Sequence, residues 1–263
     1  MDWLQIIFLS LVQGLTEFLP ISSSAHLVLP SLLTDWPDQG LAFDVGVHFG
    51  TLVAVVAYFR LELARMAGAV IKYPVSRMYD ADVDMVMKLA IATLPVVIVG
   101  FLAKDTVEAH LRTIPVIAAT TIVFGVLLWI ADQRAGLKET LKVRDALIVG
   151  AAQVLALVPG TSRSGITITA ALLLGMTRTA AAKFSFLLAI PTIAGAQLLL
   201  TLDLMDVGAD RAWRDLASGA ILAGLSAYAC IHFFIALVER TGMLPYVIYR
   251  LLLGTVLLAI YFL

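Results

Sequence analysis

Apolar residues gather into six runs long enough to cross a bilayer core roughly 30 Å thick: 43–59, 86–102, 114–130, 184–201, 217–238 and 246–263. Two further apolar regions are broken. Residues 3–33 carry Glu17, Pro20 and three serines, and residues 146–176 carry PGTSRSG. Neither offers an unbroken span, so each reads as a helix, a polar turn and a second helix that returns to the face it entered. Irregular backbone at membrane depth is tolerated only where protein or a water-filled cavity surrounds it. The expected fold class is an all-α polytopic membrane protein, with six transmembrane helices plus two re-entrant helical hairpins in one domain, 1–263.

The order of these elements repeats: a broken segment, then three spans. LTEFLPISS (15–23) aligns without gaps on VLALVPGTS (154–162), and HFGTLVA (48–54) sits against AIPTIAG (189–195). An odd number of spans in each half turns the halves to opposite faces. The pattern predicts an inverted-topology repeat, approximately 1–130 and 141–263, with the broken helices meeting near the midplane.

Composition agrees with a membrane solvent. The chain is 61% hydrophobic and 14% charged, where soluble proteins are about half apolar and about a quarter charged. A net charge of -1 gives no basic surface for nucleic acid. The lone Cys230 excludes an intramolecular disulfide and a cysteine-based zinc site. The start, MDWLQIIFLS, lacks the basic region and cleavage signal of a removable leader, so none is expected.

Charge also orients the chain. Lys and Arg concentrate in 60–88 (Arg60, Arg65, Lys72, Arg77, Lys88) and 131–145 (Arg134, Lys138, Lys142, Arg144). The alternate loops are poorer: Lys104 and Arg112 in one, and Arg211 and Arg214 among Asp203, Asp206, Asp210 and Asp215 in the other. Positive-inside counting puts 60–88, 131–145, 177–183 and 239–245 in the cytoplasm. The first broken segment then opens outward and the second inward.

The two polar turns carry the candidate chemistry. In PGTSRSGIT (159–167), Thr161, Ser162 and Ser164 offer hydroxyls, while Gly160 and Gly165 let backbone approach closely. A helix starting near Gly165 would aim free N–H groups and positive dipole at the same spot. Arg163 adds a fork of donors suited to phosphate oxygens. The combination reads as a phosphate cradle, without the lysine and spacing of a nucleotide P-loop. In QGLTEFLPISSSAH (13–26), Gln13 and Glu17 share one helix face. Pro20 ends that helix, and Ser22, Ser23 and Ser24 are placed to cap the next, with His26 in its first turn. The open roles for Glu17 are to hold a divalent metal, to orient or deprotonate a nucleophile, or to pair with Arg163. Together the turns make a phosphoryl-transfer set of nucleophile, base and cationic clamp. Anion transport would use many of the same groups. Elsewhere, His48 beside Asp44 is within reach of the pocket, His232 reads as a packed polar residue, and Arg250 either pairs internally or snorkels.

These motifs, with FSFLLAIP (184–191) and YVIYR (246–250), resemble the undecaprenyl-diphosphate phosphatase family of bacterial inner membranes, the bacitracin-resistance type, over nearly the whole chain. The resemblance implies removal of the terminal phosphate from undecaprenyl diphosphate at a pocket open to the periplasm, with a divalent cation, Mg²⁺ or Ca²⁺. The implied partners are the polyprenyl diphosphate and membrane lipid; self-association into a homo-oligomer is left open. Carried onto this chain, Glu17, Ser23 and His26 match the first motif, and Ser162, Arg163 and Thr167 the polar positions of the second. The implied catalytic set is Glu17, Ser23, His26 and Arg163. Diphosphate would rest on Ser22, Ser162, Arg163, Ser164, Gly165 and Thr167, and the metal on Glu17 and Gln13. Ser23, His26 or water is the attacking group, with Glu17 or His26 as base. An alternative is a transporter or flippase of undecaprenyl phosphate or a related anion. Two departures stand out: Gln13 replaces the usual glutamate, and Ser24-Ala25 precede His26 where Thr-Gly is commoner.

Overall fold

A computed structural model of the protein describes residues 1–34, 36–207 and 213–262. The loop charges at Asp210 and Arg211, and the side chains of Lys104, Asp203 and Asp206, lie outside the described residues. The elements run α1 (Trp3–Phe18), α2 (Ser23–Leu33), α3 (Gly40–Tyr58), α4 (Arg60–Ser76), α5 (Ala81–His110) and α6 (Ile114–Asp132). They continue with α7 (Val143–Gln153), a 3-10 turn (Val154–Leu157), α8 (Arg163–Leu173), α9 (Arg178–Val207), α10 (Trp213–Thr241) and α11 (Leu244–Phe262). Six of these helices, α3, α5, α6, α9, α10 and α11, are long and apolar enough to span a membrane. They fall on the six apolar runs, and the protein is an all-α polytopic membrane protein.

Five of the six spanning helices begin before their apolar runs, and in α5 the reason is a cap. Asp80 accepts hydrogen bonds from the N–H groups of Asp82 and Val83, which starts α5 well before the apolar run at residue 86. The connection 60–88 holds an element that the hydrophobic pattern does not reveal. RLELARMAGAV consists mostly of good helix formers, and α4 packs along α5 through buried Met66 and an Arg65–Asp82 ion pair of 2.7 Å.

Lipid gives no hydrophobic drive between helices, so contact depends on small residues and close packing. A Cβ on Gly50 of α3 would lie 2.0 Å from the Ala220 carbonyl oxygen of α10, and one on Gly150 of α7 would lie 2.4 Å from that of Ala92 in α5. α1 also lies on α10, and α11 on α6. Phe18, Phe186 and Phe234 stack edge-on and tilted, with centroids 5.2 and 5.6 Å apart, in the core where α1, α9 and α10 converge. Near the far end of α6, buried Asp132 accepts from Arg178 Nε at 2.6 Å and from the Met243 N–H at 3.2 Å, which joins α6, α9 and the entry to α11.

Candidate active site

The turn after α1 and the turn before α8 are built alike. Ser22 and Ser162 both stand immediately before a helix with positive φ, 77° and 71°, a strained conformation for a residue with a side chain. Each places its Oγ 3.2 Å from the hydroxyl of the serine two positions on, Ser24 and Ser164. Ser162 caps its helix by accepting from the Gly165 N–H at 3.1 Å, so α8 begins at Arg163, two residues ahead of the expected start near Gly165. Ser22 makes no such side-chain cap. The gapless alignment pairs Ser23 with Ser162, whereas the backbone pairs Ser22 with Ser162. The second turn has one more residue after its proline. Ser23 and Arg163 therefore hold the same place, the first residue of a helix, and both reach Glu17.

Glu17 is the centre of the site. As the four-residue spacing predicts, Gln13 Nε2 donates to its Oε2 at 3.0 Å. Ser23 Oγ donates to the same oxygen at 2.7 Å. Arg163 Nη2 donates to Oε1 at 3.1 Å, and Nη1 reaches the Ser185 carbonyl at 3.2 Å. The guanidinium also lies 5.8 Å over the Phe18 ring. A buried carboxylate with three donors is held ionised and in one orientation. His48 Nε2 lies 3.9 Å from Oε2, with Nδ1 donating to the Asp44 carbonyl at 2.8 Å.

His26 is held elsewhere. Its Nδ1 is 2.6 Å from the Ser22 carbonyl, which can only accept, so Nδ1 carries the proton and Nε2 accepts from the Tyr249 hydroxyl at 2.5 Å. The two rings stack at 5.6 Å. Both nitrogens are engaged, and neither bond runs to Ser23. On the second turn, Ser164 Oγ donates to the Leu19 carbonyl at 2.9 Å, and Thr167 Oγ1 meets Ser185 Oγ at 2.7 Å. Thr161 Oγ1 is buried without a hydrogen-bond partner. Such an orphan hydroxyl, followed in sequence by Ser162, Arg163 and Ser164, suits an incoming oxyanion.

Arg250 is fully buried and touches no carboxylate among the described residues. Nε donates to the Thr121 carbonyl at 3.0 Å, Nη1 to those of Pro20 (3.1 Å) and Thr161 (3.0 Å), and Nη2 to those of Gly160 (2.9 Å) and Thr120 (3.4 Å). One side chain thus ties both turns to α6. Gly160 has φ of 89°, and a Cβ there would fall 2.2 Å from Thr120 Oγ1, so only glycine lets the turn settle on α6. In the sequence Arg250 stands out as a charge in need of a partner. Carbonyl partners scattered from residue 20 to residue 161 leave no mark there, and neither do the parts taken by Ser185 and Tyr249.

The described residues hold no cluster of three or more His, Cys, Asp and Glu side chains for a metal. What they do hold is Gln13 Oε1, a buried oxygen with no partner, next to the Glu17 carboxylate. Oxygen donors suit Mg²⁺ or Ca²⁺. Two protein residues make only part of a six- to eight-oxygen shell, which fits an ion shared with substrate oxygens. Beside the turns lies a cavity of about 390 Å³, lined by Ser24, Asp44, His48, Arg112 and Pro159 among others.

Comparison with known proteins places this architecture. Three relatives bearing the name undecaprenyl-diphosphatase, from Alcanivorax borkumensis, Chromohalobacter salexigens and Alteromonas mediterranea, are 54%, 52% and 51% identical to the chain. Each aligns over 261 residues, 98% of this chain and 98% of the relative. Residues 6–256 match the family described as bacitracin resistance protein BacA, and the chain belongs to that family.

Proposed function

We propose that the protein hydrolyses undecaprenyl diphosphate to undecaprenyl phosphate and phosphate, recycling the lipid carrier of peptidoglycan synthesis on the periplasmic side of the bacterial inner membrane. Membership of the BacA family and the names of its relatives support the substrate. The observation that carries the chemistry is a serine hydroxyl 2.7 Å from a carboxylate that an arginine locks at 3.1 Å.

In this reading the diphosphate lies between the turns, on Ser22, Ser162, Arg163, Ser164, Gly165 and Thr167. The orphan Thr161 hydroxyl supplies one more donor. Ser23 Oγ attacks the terminal phosphorus while its proton passes to Glu17 Oε2. The bridging P–O bond breaks, and undecaprenyl phosphate leaves with that bond's electrons, its charge balanced by Arg163 and the α8 N-terminus. Water then attacks the phosphoserine: Glu17 returns its proton to Ser23 Oγ as the P–Oγ bond breaks, the attacking water's proton leaves on the released phosphate, and the ionised carboxylate and free serine are restored. His26, engaged by Ser22 and Tyr249, shapes the first turn rather than taking the Ser23 proton. Gln13 Oε1 and Glu17 would hold a divalent cation, which when bound neutralises diphosphate charge and polarises its oxygens.

The same reading makes 3–33 and 146–176 re-entrant hairpins in inverted repeats 1–130 and 141–263. Matching packing supports it: α1 and α3 lie on α10 as α7 and α9 lie on α5. Periplasmic opening is supported by the 390 Å³ cavity, which is lined by Arg112 from the arginine-poor side and by Ser24.

The test is phosphate release from undecaprenyl diphosphate by the detergent-solubilised protein, with and without EDTA, beside Ser23→Ala. Release in detergent, where no second compartment exists, rules out a carrier as the sole function. Ser23→Ala should lose on the order of 10³-fold or more in kcat. An acid-stable phosphoprotein after quench supports Ser23. An acid-labile, base-stable one would transfer the nucleophile to His26, and a rate retained in Ser23→Ala would remove serine from the mechanism.

A further inference from the structure

The two faces of α2 front different spaces. Ser24 and Leu27 line the polar cavity with Asp44, His48 and Arg112. Rotated to the other side of the same helix, His26, Leu29 and Leu33 line a groove of about 320 Å³, closed by Phe8 and Val12 of α1 and by Trp36. Apart from His26 and Thr34, its lining is entirely apolar. His26, stacked on Tyr249, stands at the inner end beside the first turn. Phe8 and Trp36, in edge contact at 5.7 Å, frame the outer end. Other apolar grooves exist, such as one of about 360 Å³ between α3 and α10 around Val53 and Leu225, but its lining includes no residue of either turn.

We propose that the α1–α2 groove receives the isoprenyl chain of the substrate, with the first units against His26 and the rest leaving past Phe8 and Trp36 into lipid. The proposal rests on the diphosphatase reading, which puts a charged head between the turns and obliges an apolar tail to leave from there. The cavity on the other face of α2 carries Asp44 and Arg112, and an apolar chain threaded through it would displace water from charged groups. The groove offers a path without that cost. Because bilayer hydrocarbon solvates a prenyl chain as well as the groove does, the groove adds little raw affinity. It supplies direction, fixing the terminal phosphorus relative to Ser23 Oγ.

The experiment compares kcat/KM for the C55 and C5 prenyl diphosphates. Filling the groove with Val12→Trp should lower the C55-to-C5 ratio at least tenfold, whereas Val53→Trp, in the α3–α10 groove, should leave it at the wild-type value. An unchanged ratio in Val12→Trp, or a fall in Val53→Trp instead, overturns the assignment. Should Val12→Trp not fold, the native protein decides: a C15 diphosphate with a diazirine on its terminal unit should label 8–12 and 29–36 on irradiation. Labels spread over all lipid-facing helices, or centred on α3 and α10, overturn the proposal. Failure of wild-type protein to release phosphate would instead sink the diphosphatase reading, whatever the labelling pattern.

Discussion

Replacing Arg250 by lysine tests how the two turns are held. Arginine satisfies five buried carbonyls, those of Pro20, Thr120, Thr121, Gly160 and Thr161. Lysine keeps the charge but brings three donors at a single point, so at least two of these five hydrogen bonds are lost. A hydrogen bond to a charged group is worth roughly 1.5–3 kcal/mol, which makes the loss roughly 3–6 kcal/mol. In a chain of this size that lowers the midpoint by roughly 5–20 °C. The assay is an apparent Tm at one fixed scan rate in detergent, because unfolding of such proteins is commonly irreversible. Activity should fall further than stability implies. Pro20 belongs to the Ser23 turn and Gly160 to the Arg163 turn, and displacement of reacting groups by about 1 Å costs about 10²-fold. Native Tm and native kcat/KM in Arg250→Lys would refute the idea that one guanidinium sets the spacing of the turns.

Three further outcomes are expected. Gln13→Glu puts a second carboxylate beside Glu17, whose Oε2 now accepts from Gln13 at 3.0 Å; like charges that close resist joint ionisation unless a cation intervenes. Cation titration of phosphate release should then show half-saturation at about tenfold lower Mg²⁺ or Ca²⁺, and an unchanged titration would remove residue 13 from the cation site. Tyr249→Phe removes the hydroxyl on His26 Nε2 but keeps the stacked ring; kcat should drop about tenfold while the apparent Tm moves by less than about 2 °C, and the opposite split would make Tyr249 merely structural. Asp132→Ala strands Arg178 and the Met243 N–H, at a cost of about 1–3 kcal/mol after allowing for the partial exposure of Arg178. Thermal melts should register it, while kcat per folded molecule stays native.

Hydrophobic periodicity locates all six spans and both breaks because membrane solvent leaves a coarse signal: a long apolar run is either present or absent. It overlooks α4, whose charges and short length look like a loop until Met66 and the Arg65–Asp82 pair are seen to fasten it to α5. In the site, Gln13 and Glu17 are legible as one helix face because their spacing is local. The meeting of Glu17 with Arg163 is readable only as one of three possibilities, since 146 residues separate them. Which group Ser23 faces depends on a positive φ at Ser22, which no periodicity reports. Nor does the gapless alignment of the turns carry their true register. Side chains at the first helical position match in space, while the intervening loops differ by one residue. Arg250 is visible as an anomaly in an apolar span, but backbone carbonyls have no letter in a sequence.

The position of Arg250 also bears on how the protein is made. It lies in α11, which is synthesised after the ten helices before it, whereas every carbonyl it donates to belongs to residues 20 to 161. Until that helix docks, the Pro20 and Thr161 carbonyls lack their arginine donor and must keep water or lipid headgroups beside them. A nascent chain therefore carries Glu17, Ser23 and Arg163 in the membrane before their active centre is formed, and the docking of α11 completes it. Chains cut short before residue 250 should insert, persist as loosely joined helices and hydrolyse nothing, which ties catalytic competence to the synthesis of α11.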